Sequence, residues 1–188
     1  MDIVLASNNK GKIKEIKEIL SEYNILSLSE MNVNIEVIED QNSFYENAFK
    51  KAKEIYEVIK KPVIADDSGL CIDALNGFPG INTRRFLGEY ATDKERNIAL
   101  LEKLKNVKKR SAKVVCAIVY YDGVNIFGAE ASLEGTITLE EKGENGFGFD
   151  SIFELPEGKT LAELTEKEKN EVSVRYLALK EIKMKLQK

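Results

Sequence analysis

One stretch, Pro62-Val63-Ile64-Ala65-Asp66-Asp67-Ser68-Gly69-Leu70, limits what this chain can become more than any other. Val63, Ile64 and Ala65 make a short apolar run of the kind that becomes a fully buried strand. Pro62 stands at its start, where a missing N–H costs least. Two acids, a hydroxyl and a glycine then follow. The pattern predicts that Asp66 and Asp67 emerge at the carboxyl end of the strand, where open α/β sheets place their ligand crevices. Adjacent strand side chains face opposite ways, so one acid can enter a cleft while the other braces the backbone. A polar turn closing a core strand reads equally well from these residues alone.

The chain has 188 residues and no histidine. That removes Ser-His-Asp and Cys-His catalysis and every imidazole-ligated metal. A metal must use oxygen ligands, which selects magnesium or manganese, and a general base must be a carboxylate, a lysine or a tyrosine. Hydrophobic content of 43% and charged content of 32% suit one soluble domain with a real core. A net charge of −4 with interspersed signs speaks against nucleic acid as a partner. No apolar run approaches the ~20 residues of a membrane span, so no membrane is expected either. Met1 to Ala6 lacks the basic flank and longer apolar core of a signal peptide, and a cytoplasmic location is expected. Cys71 and Cys116 read as small core fillers rather than a disulfide or a metal pair.

Ile3 to Ala6 is predicted as a buried strand feeding the polar loop Ser7-Asn8-Asn9-Lys10-Gly11-Lys12, with Ile13, Ile16, Ile19 and Leu20 at helical spacing behind it. Strand, polar loop and helix start are the geometry in which exposed amides meet an anion, though a plain capped helix start fits as well. Short strands are expected at Asn24 to Leu28 and Ile35 to Ile38, the second closing on Glu39 and Asp40. Ser43 to Glu46 has the spacing of a capping box for a helix to about Lys60. Thr92 to Glu95 has the same spacing for a helix through Lys105, with Ile98, Leu101 and Leu104 inside. Val114 to Tyr121, the turn Asp122-Gly123, Val124 to Ala131 and Leu133 to Leu139 read as three antiparallel strands. Gly143 to Asp150 is a glycine-rich aromatic loop, whose glycines let a ligand approach and whose Phe147 and Phe149 could stack on a flat ring. An aromatic-packed turn explains it as easily. Thr165 to Glu168 starts the last helical stretch, predicted over Val172 to Leu186 with Leu177, Leu179, Ile182 and Leu186 toward the core.

Taken together, the loop 7–12, Ser43 to Ala48, Ala65 to Leu70, Gly77-Phe78-Pro79-Gly80, Gly146-Phe147-Gly148-Phe149-Asp150 and Lys159 to Leu179 resemble the inosine triphosphate pyrophosphatase family, also called Ham1-like. The resemblance covers essentially the whole chain. It implies an α/β fold, an elongated mixed β-sheet flanked by helices. Residues 1–188 would form one domain with two lobes enclosing a central nucleotide cleft, typically as a homodimer. The implied reaction is magnesium-dependent hydrolysis of ITP, dITP or XTP to the monophosphate and pyrophosphate, with manganese as a possible substitute.

Residue by residue, the resemblance makes Asp67 the base that orients water and gives the metal to Glu39 and Asp67. Ser7, Asn8, Asn9, Lys12 and Lys51 would hold the triphosphate, with Ser68 beside the substrate. Phe147, Gly148, Phe149, Asp150, Lys169, Val174 and Arg175 would meet the base or hold the nucleotide. Two departures stand out. Ser173-Val174-Arg175 replaces the family's Ser-His-Arg, and Ile81-Asn82-Thr83-Arg84 replaces its Tyr-Ser-Ala-Arg. The first puts base selectivity in question and leaves the acids untouched. Two alternatives stay open: a related pyrophosphatase with altered base preference, and a nucleotide-binding protein of this fold without turnover.

Overall fold

The computed structural model describes residues 1–187. The predicted span 1–188 therefore reaches one residue, Lys188, outside the described set. Strand β1 (Asp2–Leu5) leads into α1 (Lys10–Ile19), β2 (Asn24–Ser27), α2 (Phe44–Ile59), β3 (Val63–Ile72), α3 (Asp93–Lys103), β4 (Ser111–Tyr121), β5 (Ile126–Ile137), β6 (Phe153–Glu154), α4 (Glu166–Val172) and α5 (Val174–Leu186). Six strands form one mixed sheet in the order β2-β1-β3-β4-β5-β6. β1 pairs in parallel with β2 and β3, and β5 pairs antiparallel with β6. The α/β class expected from the sequence is the class observed.

Two units divide the chain. The first comprises Met1–Asp67, Cys116–Ala131 and the segment from Val174 onward; the second comprises Ser68–Val115 and Ser132–Ser173. In the first, Val4, Ala6, Val63, Ala65 and Val119 pack with Ala48, Ala52 and Ile55 of α2. Alanines at 48 and 52 let that helix lie close to the strands, and burying one large aliphatic chain there is worth about 2 kcal/mol. The starts of α1 to α4 have a chemical cause. Asn9 caps α1 by accepting from the N–H groups of Gly11 and Lys12, and Ser43 caps α2 by accepting from Glu46. Thr92 and Thr165 make reciprocal capping boxes with Glu95 and Glu168. Such caps contribute about 1 kcal/mol each.

Five expectations need correction. Asp66 and Asp67 do not follow a strand; they lie inside β3, which runs on to Ile72. Ion pairs to Asp66 Oδ2 and a hydrogen bond to Asp67 Oδ2 hold the two acids, so the strand need not end at them. Ile35 to Ile38 joins no strand. It alternates its exposure, with Ile35 and Val37 packed on the core and Ile38 exposed, but it forms no ladder. Residues 124–139 hold one strand, β5, not two, because its alternation continues through Ser132 without a turn. On α3 the inner positions are Arg96, Asn97 and Leu100, whereas Ile98 is exposed and Leu101 half-buried; Leu104, at the C-cap, is buried as expected. The last helix breaks at Ser173 into α4 and α5, and Leu177 lies outward while Val174, Arg175 and Ala178 lie inward. Neither cysteine forms a disulfide; Cys116 is fully buried and Cys71 partly so. No helix among the described residues is long and apolar enough to cross a membrane.

Candidate active site

β3 and three helices, α1, α2 and α5, set the electrostatics of the first unit. The strand pairs in parallel with β1 at Val4–Val63 and Leu5–Ile64, and the acids follow that paired stretch after Ala65. Asp66 is 1% exposed. Its Oδ2 meets Lys12 Nζ at 2.9 Å and Arg175 Nη2 at 3.3 Å. Arg175 Nη1 also pairs with Glu15 of α1, another buried acid. Burial alone would push the Asp66 carboxyl up, but Lys12, Arg175 and Lys51 overcome it and hold it well below the usual carboxylate range. The same pairing holds Arg175 charged: burial disfavours the guanidinium, and Asp66 and Glu15 outweigh that. Asp66 Oδ1 is the exception, buried without a hydrogen-bond partner.

Asp67 has the opposite fate. Burial pushes its carboxyl up to about 6, Lys51 opposes that rise, and the negative charge of Glu39 adds to it. Asn47 of α2 donates to Asp67 Oδ2 at 3.0 Å. Lys51, four residues on and therefore on the same helix face, donates to Glu39 Oε1 at 2.6 Å and to the Asp66 carbonyl at 2.5 Å. Burial lowers the affinity of Lys51 for its proton, yet Asp67, Glu39 and Asp66 together raise it. Neighbouring acids with contrasting environments are how one site holds an ionised anchor beside a group that titrates.

A separate constellation occupies the second unit. Lys169 of α4 meets Asp150 Oδ2 at 2.6 Å and lies 4.3 Å from the Phe147 ring centroid. The Phe147 N–H donates to the same oxygen at 2.8 Å. Gly146 has φ +79°, and a Cβ there would come within 2.1 Å of that carboxylate, so only glycine lets Asp150 fold beneath the loop. Phe147 and Phe149 are half-buried.

The sequence model of the Ham1 family matches residues 3–185. The chain belongs to the Ham1 family. A dITP/XTP pyrophosphatase of Clostridium tetani is 44% identical over 98% of this chain and 95% of its own. One of Clostridium perfringens is 47% identical over 96% and 94%. The solved Ham1 protein of Staphylococcus aureus superposes with a TM-score of 0.89 at 38% identity, covering 100% of this chain and 98% of that one.

In this Ham1-family chain, Ser7, Asn8, Asn9, Lys12, Glu39, Lys51, Asp67, Val174 and Arg175 fall in the first unit, and Ser68, Phe147, Gly148, Phe149, Asp150 and Lys169 in the second. Ser7 Oγ accepts from the Asn9 N–H at 3.2 Å, and the Asn9 side chain is engaged as the α1 cap, while Asn8 is exposed. Arg175 pairs with Glu15 and Asp66 in the first unit, and Lys169 with Asp150 in the second. Val174 is buried, only 6% exposed. Two residues escaped the sequence reading. Glu15 lies three residues after Lys12 and Asn47 four before Lys51, so helical spacing from a suspected lysine was the available signal.

Glu39 and Asp67 also fit a hard divalent cation. They are oxygen donors, and the negative charge of Glu39 adds to the rise that burial gives the Asp67 carboxyl. Magnesium takes one or two carboxylates and fills the rest of its shell with phosphate oxygens and water. Among the described residues no three acid, cysteine or histidine side chains converge on one point.

Proposed function

We propose that this chain hydrolyses ITP, dITP and XTP to the nucleoside monophosphate and pyrophosphate, removing non-standard purines from the nucleotide pool. It is a nucleoside triphosphate pyrophosphatase by family, and relatives over 40% identical carry the name dITP/XTP pyrophosphatase. One observation carries the reading. Asp66 and Asp67, adjacent on β3, are held at opposite ends of the carboxylate range among Lys12, Lys51 and Arg175.

The chemistry follows from those groups. The amides at the α1 start with Ser7, Asn8, Asn9 and Lys12, and Lys51 from α2, hold the triphosphate oxygens with Ser68 beside them. Ionised Asp67 orients a water and takes its proton as the water oxygen bonds to the α-phosphorus. The bond from that phosphorus to the β-phosphate oxygen breaks, and pyrophosphate leaves. Lys12 and Lys51 stabilise the charge that builds on the α-phosphate oxygens. A magnesium or manganese ion on Glu39 and Asp67 would neutralise phosphate charge when bound. In the second unit Phe149 and Phe147 stack on the base while Asp150 and Lys169 read its edge. Arg175, through Glu15 and Asp66, serves the phosphate end. The two units are lobes of one domain, and the chain acts as a cytoplasmic homodimer, as the family resemblance implies.

A narrower reading has its own support. Val174 is buried and apolar where the family resemblance expects histidine, so one hydrogen-bond donor to the 6-oxo group is missing. Preference for 6-oxo purines is weakened accordingly. Measuring pyrophosphate release from ITP, dITP, XTP, GTP and ATP with magnesium tests both statements. Faster turnover of ITP, dITP and XTP than of ATP is expected. Equal turnover of all five, or none of any, would overturn the reading.

A further inference from the structure

Gly148 is gripped at both ends of its main chain. Its N–H donates to Asp93 Oδ2 at 2.9 Å, and its carbonyl accepts from Asn97 Nδ2 at 3.0 Å. Asp93 is the first residue of α3 and Asn97 lies one turn on, so a single helix face presents both groups. The clamp is itself anchored. Asp93 Oδ1 meets Arg84 at 3.1 Å and Arg96 at 3.7 Å. Asn97 is 3% exposed, and its amide also reaches Glu141 Oε1 and Ser151 Oγ, each at 3.2 Å. Gly148 has φ +65°, a left-handed conformation that the two bonds hold in place. A cavity of about 260 Å³ opens against Asp93, Asn97, Phe147, Gly148 and Asp150.

Phe147 and Phe149 flank this glycine, so the planes of its two peptide groups set the direction of both rings. We propose that Asp93 and Asn97 are positioning residues for base recognition, acting through Gly148 on Phe147 and Phe149. The inference rests on the reading that the 146–150 loop receives the base. Neither acid nor amide touches the reacting phosphate. Their loss therefore weakens binding of the base and its discrimination, and leaves the chemical step alone.

Steady-state kinetics of ITP and ATP hydrolysis test this in the full-length protein carrying Asn97→Ala, Asp93→Ala, Asp93→Asn or Phe149→Ala, with melting temperatures recorded alongside. Both alanine variants at 93 and 97 should raise KM for ITP by roughly 10-fold with kcat within about 2-fold, and should lower the ITP to ATP ratio of kcat/KM. Asp93→Asn keeps an oxygen for the Gly148 N–H and should restore KM to within about 3-fold of the parent. A purely structural role would reduce the active fraction, and so kcat, at unchanged KM. Unchanged KM in the alanine variants beside a raised KM in Phe149→Ala would overturn the positioning role and leave the loop as the base site. Unchanged KM in Phe149→Ala as well would remove the base site, and the proposal with it. Asp93 is partly exposed, so Asp93→Ala decides the matter should Asn97→Ala fail to fold.

Discussion

Asn47 donates its side-chain amide to Asp67 Oδ2 at 3.0 Å from a helix that also carries Lys51, and both bonded residues are buried. The bond favours the ionised carboxylate, while burial, the larger effect, favours the protonated one. Removing the amide should therefore move Asp67 upward. For Asn47→Ala, the acid limb of kcat/KM against pH should shift to higher pH by about one unit. A limb at unchanged pH would mean that Asp67 does not govern it.

Asp67 also links stability to pH. Its folded value of about 6 lies above the ordinary 3.8, so its contribution is fully present below that ordinary value and is lost as pH rises through about 6. The loss is on the order of 3 kcal/mol. In chelator, Asp67→Asn should gain stability relative to the parent between pH 4 and pH 8, measured by denaturant unfolding. Its turnover should fall by a factor on the order of 10²–10⁴ with the circular dichroism unchanged. A variant with normal turnover would move the base role to Glu39 or Asp66.

Arg175 joins buried Glu15 to buried Asp66, which also pairs with the partly buried Lys12. Arg175→Met leaves Glu15 without its guanidinium and Asp66 with one countercharge fewer, and should cost about 3–5 kcal/mol in urea unfolding. Adding Glu15→Gln should recover part of that loss, because the two sites share one interaction. Fully additive losses would show that the pair is not coupled.

Metal dependence follows from the donor chemistry. With Glu39 and Asp67 as hard oxygen ligands and no histidine in the chain, chelator should abolish pyrophosphate release. Magnesium or manganese should restore it, and zinc should not. Full turnover in excess chelator would take the metal out of the reaction.

Val174→His supplies a donor where the chain has none. One restored hydrogen bond of about 1.4 kcal/mol would raise the ITP to ATP ratio of kcat/KM by ~10-fold. The imidazole must fit a position only 6% exposed, so a fall in melting temperature should accompany the gain. An unchanged ratio in a folded variant would assign selectivity to other groups.

Local chemistry made much of this protein legible in the chain itself. The caps at Ser43, Thr92 and Thr165 follow from spacing, because a hydroxyl reaches an amide three residues on whatever the rest of the fold does. The apolar run at Val63 and the missing histidine set the buried strand and the oxygen-only chemistry in the same way. Where β3 ends was a different matter. Its acids could stay in the strand only because Lys12, Lys51, Arg175 and Asn47 arrive from three separate helices. The fate of Ile35 to Ile38 likewise depended on whether a partner strand lay beside it, and an alternating pattern is blind to that. Adjacent in the chain and alike in chemistry, Asp66 and Asp67 are driven apart by burial, which raises Asp67, and by charges up to 109 residues away in sequence, which hold Asp66 down. The electrostatic energy depends on distance and burial, and only the folded chain assigns those.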